Sequence, residues 1–278
     1  MPVVSIVIRS FNDASIIRKT ITHILNQSFS DYEILNLDNE SSDGTAEIIR
    51  EYKLIKQITI PRNSYVPGVV LNKGIAASQG EIVLFNNSDS IPQNNNWLKN
   101  LISPILSGSA AATYARQIPR PEAYPWIKRD YARGFGSIPL SKDFFSAVSF
   151  AADRNILLKY PFDSQIRYSE DVLWAKTIRQ KGFKITYVPD AITEHSHNYT
   201  PEQVYKRFYG EGYADGEILQ SGQNILSLLK SITGGIYRDI LWLVHHQELQ
   251  QLIPCLKYRI NQKTSYYRGR NTYWKKQK

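Results

Sequence analysis

Val3-Val4-Ser5-Ile6-Val7-Ile8 is a short apolar, β-branched run near the start of the chain. It lacks the polar–apolar alternation of a half-exposed strand, so it reads as a strand buried on both faces, as in a parallel sheet. Apolar runs and polar turns then alternate down the chain. Ser10–Ala14 is polar and turn-like, and Ile16, Ile17, Ile21, Ile24 and Leu25 recur at helical spacing. Ile34–Leu37 reads as a second strand ending on Asp38, with a helix near Ala46–Tyr52 that Asp43 is placed to cap. Ile55–Ile60 gives a third strand, Val69–Ser78 a helix, Ile82–Phe85 a fourth strand, Trp97–Leu106 a helix and Ala110–Tyr114 another strand. Such alternation predicts an α/β fold, a mostly parallel sheet flanked by helices.

In open sheets of this kind, ligands sit outside the carboxyl ends of the strands. Asp38 and the cluster Asn86–Ser90 both fall at such ends. From Arg116 to Pro139 the pattern loosens into Pro, Arg and aromatic residues, which suggests a loop covering the site. Ser169–Gly182 returns to helix and Lys184–Val188 to strand.

Beyond Thr200 the strand signals stop. Ile225, Leu228, Leu229, Ile232, Ile236, Ile240, Leu243 and Val244 recur at helical spacing, with Gly234-Gly235 expected to interrupt the helix. The division is therefore read as a catalytic domain over 1–215 and a helical, basic C-terminal extension over 216–278. The apolar face of 225–245 is expected to pack on the first domain. The basic, aromatic stretch 252–278 is expected to rest on a membrane surface.

Composition narrows the function classes. At 42% hydrophobic, the 278 residues can bury a core, which excludes wholesale disorder. The net charge of +9 is unevenly placed: eight of the 34 basic residues follow Gln251 with no acidic residue among them. The first 250 residues are nearly neutral, and the tail suggests an anionic partner. No nucleic-acid-binding module is recognisable, so nucleic acid is not the expected partner. One cysteine, Cys255, excludes an internal disulfide and reads as a structural thiol. The expected location is cytoplasmic, with peripheral attachment to the inner face of the plasma membrane as a further option.

Four polar clusters could carry chemistry. Asp38 and Asp43 bracket small hydroxyl residues and could receive a ribose or base, or form an ordinary capped loop. Asp89 follows the strand Ile82–Phe85 and could hold a divalent cation on a diphosphate, or serve a turn. Glu170-Asp171 opens a helix, where acidic residues suit the dipole and where one could act as a general base. His195 and His197 sit two residues apart on an extended segment and point the same way, as a ligand pair would.

In order along the chain, these clusters resemble the family 2 glycosyltransferases of the GT-A fold. The resemblance rests on Ser5-Ile6-Val7-Ile8-Arg9-Ser10-Phe11-Asn12-Asp13, on Gln27–Ile34, and on Asp38-Asn39-Glu40-Ser41-Ser42-Asp43-Gly44-Thr45. It continues through Asn72-Lys73-Gly74 to Gly80-Glu81, and through Ser169-Glu170-Asp171-Val172-Leu173-Trp174. Tyr114–Pro121, Ser88–Pro92 and His195–Thr200 look most like the bacterial rhamnosyltransferases. One position departs: the family usually carries Asp-x-Asp at its metal loop, and here the first residue is Asn87.

The resemblance implies a metal-dependent, inverting hexosyltransferase that takes a nucleotide-diphospho-sugar donor. The donor expected is a dTDP-deoxyhexose such as dTDP-L-rhamnose. The acceptor is expected to be a growing cell-surface polysaccharide or lipid-linked glycan. Arg9, Phe11, Asp13, Asp38 and Asp89 would bind the donor nucleotide. Asp89, His195 and His197 would hold Mg2+ or Mn2+. Asp171 would be the base. Arg116, Gln117, Glu170 and Trp174 are candidates for the sugar or acceptor, although Trp174 is better suited to packing its helix. The alternatives are a degenerate scaffold in glycan assembly, favoured by Asn87, and a nucleotidyltransferase. The latter is disfavoured because Arg9–Asp13 holds no glycine.

Overall fold

The computed structural model describes residues 1–277 except 140 and 142. The chain divides into two units. The first comprises 1–118, 134–165 and 170–195; the second comprises 119–133, 166–169 and 196–278.

The first unit is built on eight strands: β1 (Val4–Ser10), β2 (Tyr32–Asp38), β3 (Ile55–Thr59), β4 (Ile82–Asn87), β5 (Ile91–Pro92), β6 (Ala112–Ile118), β7 (Ser149–Asp153) and β8 (Ile185–Glu194). Their order across the sheet is β3-β2-β1-β4-β7-β6-β8-β5. β1 lies between β2 and β4 and is parallel to both. β7 runs antiparallel to its neighbours β4 and β6. That one reversal leaves β6 parallel to β4, so the carboxyl ends of β1, β2, β4, β6 and β8 share an edge with the start of β7.

Successive side chains of β1 go to opposite faces. Ile6 and Ile8 enter a cluster with Ile17, Ile21 and Ile24 of α1 (Ile17–Leu25), Ile49 of α2 (Thr45–Arg50) and Trp97, Leu98 and Leu101 of α4 (Trp97–Leu106). Val7 enters the opposite cluster, with Val70, Leu71 and Ile75 of α3 (Pro67–Ala77) and Trp174 and Ile178 of α7 (Glu170–Gln180). Each of these wholly buried aliphatic side chains contributes about 1.5–3 kcal/mol to the layering. α3 lies so close to the sheet that a β-carbon on Gly74 would come within 2.9 Å of Val7, which explains the glycine in the Asn-x-Gly stretch.

Several sequence expectations need correction. The N-cap of α2 is Gly44, at φ +97°, and not Asp43. Asp43 sits one residue earlier and accepts from the Thr45 N–H and hydroxyl. The stretch 116–139 is not one loop: β6 runs on to Ile118, and α5 (Pro125–Gly134) opens with a proline in its first turn, where the missing N–H costs nothing. β7 and the short α6 (Arg154–Lys159) were not foreseen.

The second unit holds most of α5 and three long helices, α8 (Pro201–Leu219), α9 (Ile225–His245) and α10 (Leu252–Lys276). Thr200 and Gln203 close a capping box at the head of α8. α8 and α10 meet through glycines. A β-carbon on Gly212 would fall 2.1 Å from the Tyr266 carbonyl oxygen, and one on Gly269 would fall 2.0 Å from that of Tyr209. α10 buries a stripe of Cys255, Arg259, Gln262, Ser265, Gly269 and Tyr273, so the basic tail is a packing helix.

α9 is continuous through Gly234-Gly235, against expectation. Gly235 is there for close approach, since a β-carbon would meet the Arg259 stem at 2.9 Å. Of the apolar residues expected on its packing face, Leu228 and Leu243 are buried, while Ile225, Leu229 and Val244 are exposed. No described helix is long and apolar enough to cross a membrane.

Candidate active site

The shared strand edge of the first unit collects the polar groups. Asp38, the last residue of β2, is buried and accepts from the Ser10 hydroxyl at 3.0 Å and from the Ser41 hydroxyl and N–H at 2.7 and 3.0 Å. Its two oxygens are thus set by small hydroxyl residues on both sides, one at the end of β1 and one in the loop. Phe11, just past β1, is 45% exposed, and the Arg62 guanidinium lies over its ring at 5.1 Å. Asp13 accepts from the Phe11 N–H at 3.0 Å and from the Ser88 hydroxyl. Burial pushes its carboxyl above the ordinary value, against the pull of those two hydrogen bonds.

Arg9 ends on the β4 loop. It donates to the Asn87 side-chain oxygen at 2.6 Å and to the Ala147 carbonyl at 3.2 Å. Ala147 in turn gives its N–H to the Asp171 carboxylate at 3.0 Å, and the Val172 N–H donates to the other Asp171 oxygen at 2.8 Å. Asp171 therefore sits in the first turn of α7, fixed by two backbone donors beside the start of β7. Burial raises its carboxyl, and the Arg9 charge opposes that rise. Glu170 is 9% exposed. Burial first, and then the Asp171 charge, push its carboxyl up to about 7. Two adjacent buried carboxyls that repel each other are a source of basicity near neutral pH.

The third group forms where β5 pairs antiparallel with β8, Ile91 opposite Glu194. That pairing brings Asp89, two residues before β5, to His195, one residue after β8. The His195 Nε2 lies 3.6 Å from the Asp89 carboxylate. Its Nδ1 lies 3.1 Å from the Gln117 amide oxygen. The Gln117 amide nitrogen donates to the Ser146 hydroxyl at 2.8 Å, which fixes the oxygen toward the ring. An amide oxygen only accepts, so Nδ1 donates to Gln117 and Nε2 is the ring nitrogen that faces Asp89.

A carboxylate oxygen and an imidazole nitrogen 3.6 Å apart are a donor set that fits a shared divalent cation. The Asn87 side-chain oxygen is held by Arg9 at 2.6 Å. His197 falls in the second unit, two residues on, with its ring stacked on Tyr199. That unit has its own pocket, lined among others by Arg120, Glu122, His197, Asn198 and Tyr199.

The remaining candidates take other places. Gln117 serves the His195 ring, a role that residue type alone did not signal. Arg116 lies on β6, and its guanidinium charge acts on the Tyr187 hydroxyl. Trp174 is 3% exposed, stacks on Phe162 with ring centroids 5.1 Å apart, and donates its N–H to the Tyr160 carbonyl. It is a core residue of the first unit. Missed altogether were Ala147 and Arg62. An alanine carries no side-chain signal for a backbone role, and Arg62 is distant in sequence from the ring it covers.

The model of glycosyl transferase family 2 matches residues 5–167, more than half of the chain. Among curated relatives, the O-antigen chain rhamnosyltransferase RfbN of Salmonella typhimurium is 26% identical over 75% of this chain and 71% of its own length. The O-antigen chain rhamnosyltransferase WbaN of Salmonella anatum is 30% identical over 65% of this chain and 61% of its own length, so this chain spans under two thirds of that relative. Among solved structures, the mannosyltransferase PcManGT of Pyrobaculum calidifontis, in complex with GDP-Man and Mn2+, superposes over 100% of this chain and 88% of its own at a TM-score of 0.70 and 14% identity. Residues 1–349 of S. aureus TarS do so over 98% and 91%, at 0.54 and 17%. At these identities the likeness is one of fold, and the fold is GT-A, as the ordered motifs implied.

Proposed function

The chain belongs to glycosyl transferase family 2, and from that premise we propose that it is an inverting transferase moving a deoxyhexose to a hydroxyl of a cell-surface or lipid-linked glycan. L-Rhamnose is the sugar favoured, because RfbN and WbaN are both O-antigen chain rhamnosyltransferases, and dTDP is the carrier we propose for it. The observation that carries the reading is the pinned Asp171 carboxylate, held by the Ala147 and Val172 N–H groups on the strand edge that also gathers Asp38 and Asp89.

In this reading, the exposed Phe11 ring and the hydroxyl-bounded Asp38 receive the nucleoside. Asp89 and His195 would hold Mg2+ or Mn2+, which when bound would offset charge on the departing diphosphate. Asp171 takes the proton of the acceptor hydroxyl. The freed oxygen pair forms the new bond to the anomeric carbon, and the old bond's electrons leave with the nucleoside diphosphate. A single displacement of this kind inverts the anomeric configuration. Burial holds the Asp171 carboxyl above its ordinary value, which makes it a stronger base than an exposed aspartate.

The test is a screen of dTDP-, UDP- and GDP-sugars with Mn2+, with product configuration read by NMR. Transfer from dTDP-rhamnose with inversion is the expected result. Retention of configuration, or a preference for a UDP- or GDP-sugar, would overturn the mechanism or the donor respectively.

A further inference from the structure

α9 carries apolar residues on its outward face as well as on its inward one. Its fully buried residues are Leu228, Gly235, Asp239 and Leu243, with Ile232, Ile236 and Trp242 half-buried on the same side. Its outward face carries Leu226 at 66% exposure, Leu229 at 51%, Tyr237 at 64%, Leu241 at 51% and Val244 at 54%. At 100° per residue these five, with half-buried Ile240, fall within one stripe about 120° wide and about 27 Å long. Singly exposed apolar residues need no explanation, but an ordered stripe of this length does.

Charge on the same helix has one sign. Lys230 and Arg238 are both exposed. Lys230 rises from within the stripe, where its long stem can lie along apolar surface and lift the ammonium to the headgroups, and Arg238 stands about 60° beyond the stripe's edge, within reach of the same surface by its long stem. The only acidic residue of α9, Asp239, is buried and paired with Arg129 and Arg259. Burial and then repulsion from Arg133, Arg129 and Arg259 push the Arg238 guanidinium below its ordinary value, which marks a local excess of cations. Against Asp130 and Asp239, this neighbourhood sets Arg129, Arg133, Arg238, Arg259 and Lys263.

We propose that α9 is an interfacial helix that lays its Leu226–Val244 stripe on an anionic lipid surface, with Lys230 and Arg238 meeting the headgroups. A stripe of leucine, tyrosine and valine attended by cations has the chemistry of a helix lying in the plane of an anionic membrane. A second copy of the chain fits less well, because two such faces would bring cations to cations with no exposed acid on α9 to receive them. The assignment moves membrane contact away from the basic end of the chain, whose helix is occupied with α8. It does not depend on the identity of the donor or acceptor.

Co-sedimentation of the full chain with vesicles of phosphatidylcholine plus phosphatidylglycerol, against phosphatidylcholine alone, tests it with no sugar present. Failure here therefore leaves the transferase reading intact. The wild-type chain is expected to bind the anionic vesicles. Leu226→Gln/Leu229→Gln/Leu241→Gln/Val244→Gln together, all on exposed positions, should weaken binding more than about tenfold. Lys230→Gln/Arg238→Gln should erase the preference for anionic vesicles, while Lys275→Gln/Lys276→Gln should leave binding near the wild-type level. The proposal falls if the wild-type chain ignores anionic vesicles, if the four-residue variant binds as well as wild type, or if the tail variant alone abolishes binding. It also falls if sedimentation velocity shows a dimer that the four-residue variant dissolves.

Discussion

The Arg9 guanidinium donates to the Asn87 side-chain oxygen at 2.6 Å, across the register in which β1 and β4 place these two residues side by side. Arginine only donates, so the amide must turn its oxygen inward. Position 87 is thereby a partner of Arg9, and its difference from the usual aspartate concerns the arginine before it concerns a cation. An aspartate there would form an ion pair with Arg9 and compete for the charge that restrains Glu170 and Asp171.

Asn87→Asp is accordingly expected to change the half-saturating Mn2+ concentration for transfer by less than about threefold, since the new carboxylate stays on Arg9. A manganese titration of initial rates checks this. Tightening by more than about tenfold would identify residue 87 as a ligand.

Asp171→Asn keeps the shape of the side chain and removes its basicity. Transfer should fall by about 10²–10⁴-fold, the usual worth of a positioned base, with donor affinity nearly unchanged by calorimetry. Near-normal turnover would remove Asp171 from the role and turn attention to Glu170.

Glu170 makes stability depend on pH in a defined direction. Its carboxyl is raised from 4.5 to about 7 by burial and by Asp171. Between those values the folded chain holds a proton that the unfolded chain has lost, so stability falls as pH rises through that window and stays low above it. Glu170→Gln removes the penalty. The variant should match wild type at the acid end of the window and exceed it by about 1–3 kcal/mol at pH 8, read as urea midpoints at both pH values. A constant difference across the range would show that the carboxyl titrates normally.

The parts legible in the sequence were those where one chemical signal suffices. β1, β2 and β4 are buried on both faces and so appear as plain apolar runs. Asp38, Asp89 and Glu170-Asp171 stand out because strand ends and helix starts are recognisable places for carboxylates. β7 was not legible, because Ser149-Phe150-Ala151-Ala152-Asp153 has the small residues of a crowded sheet centre and little β-propensity. Propensity alone breaks α9 at Gly234-Gly235, whereas the close approach of the Arg259 stem requires the glycine at 235. The Arg9–Asn87 and Gln117–His195 pairs depend on sheet register, which a single strand does not encode.

Gln117→Met should weaken cation binding without removing a ligand. The methionine cannot accept strongly from Nδ1, so the His195 ring loses the contact that fixes its tautomer. Loss of such an outer partner costs about 10–100-fold in metal affinity. Manganese titration of the variant checks it, with Asp89→Ala as the stronger control. An unchanged titration would mean that the ring is oriented by its backbone alone, through the His195 N–H bond to the Ile118 carbonyl.

Asp239 is the keystone charge of the second unit. Its carboxylate takes Arg259 through two nitrogens, at 2.7 and 2.9 Å, and Arg129 at 2.6 Å. Both arginines are nearly inaccessible, as is Asp239 itself. Asp130 also reaches both arginines, but its side chain is 31% exposed, so water screens that pair more. Asp239→Asn would leave two buried guanidinium groups with one half-screened carboxylate. Breaking a buried cluster in this way costs about 3–5 kcal/mol, because the unpaired charges stay buried. Asp130→Asn should cost nearer about 1 kcal/mol. Urea unfolding of both variants gives the comparison, and equal losses would mean that Asp130 shares the buried load. A double substitution of Arg129 and Asp239 to apolar residues of similar volume should recover part of the loss, since removing the charges together removes the penalty of leaving one unpaired.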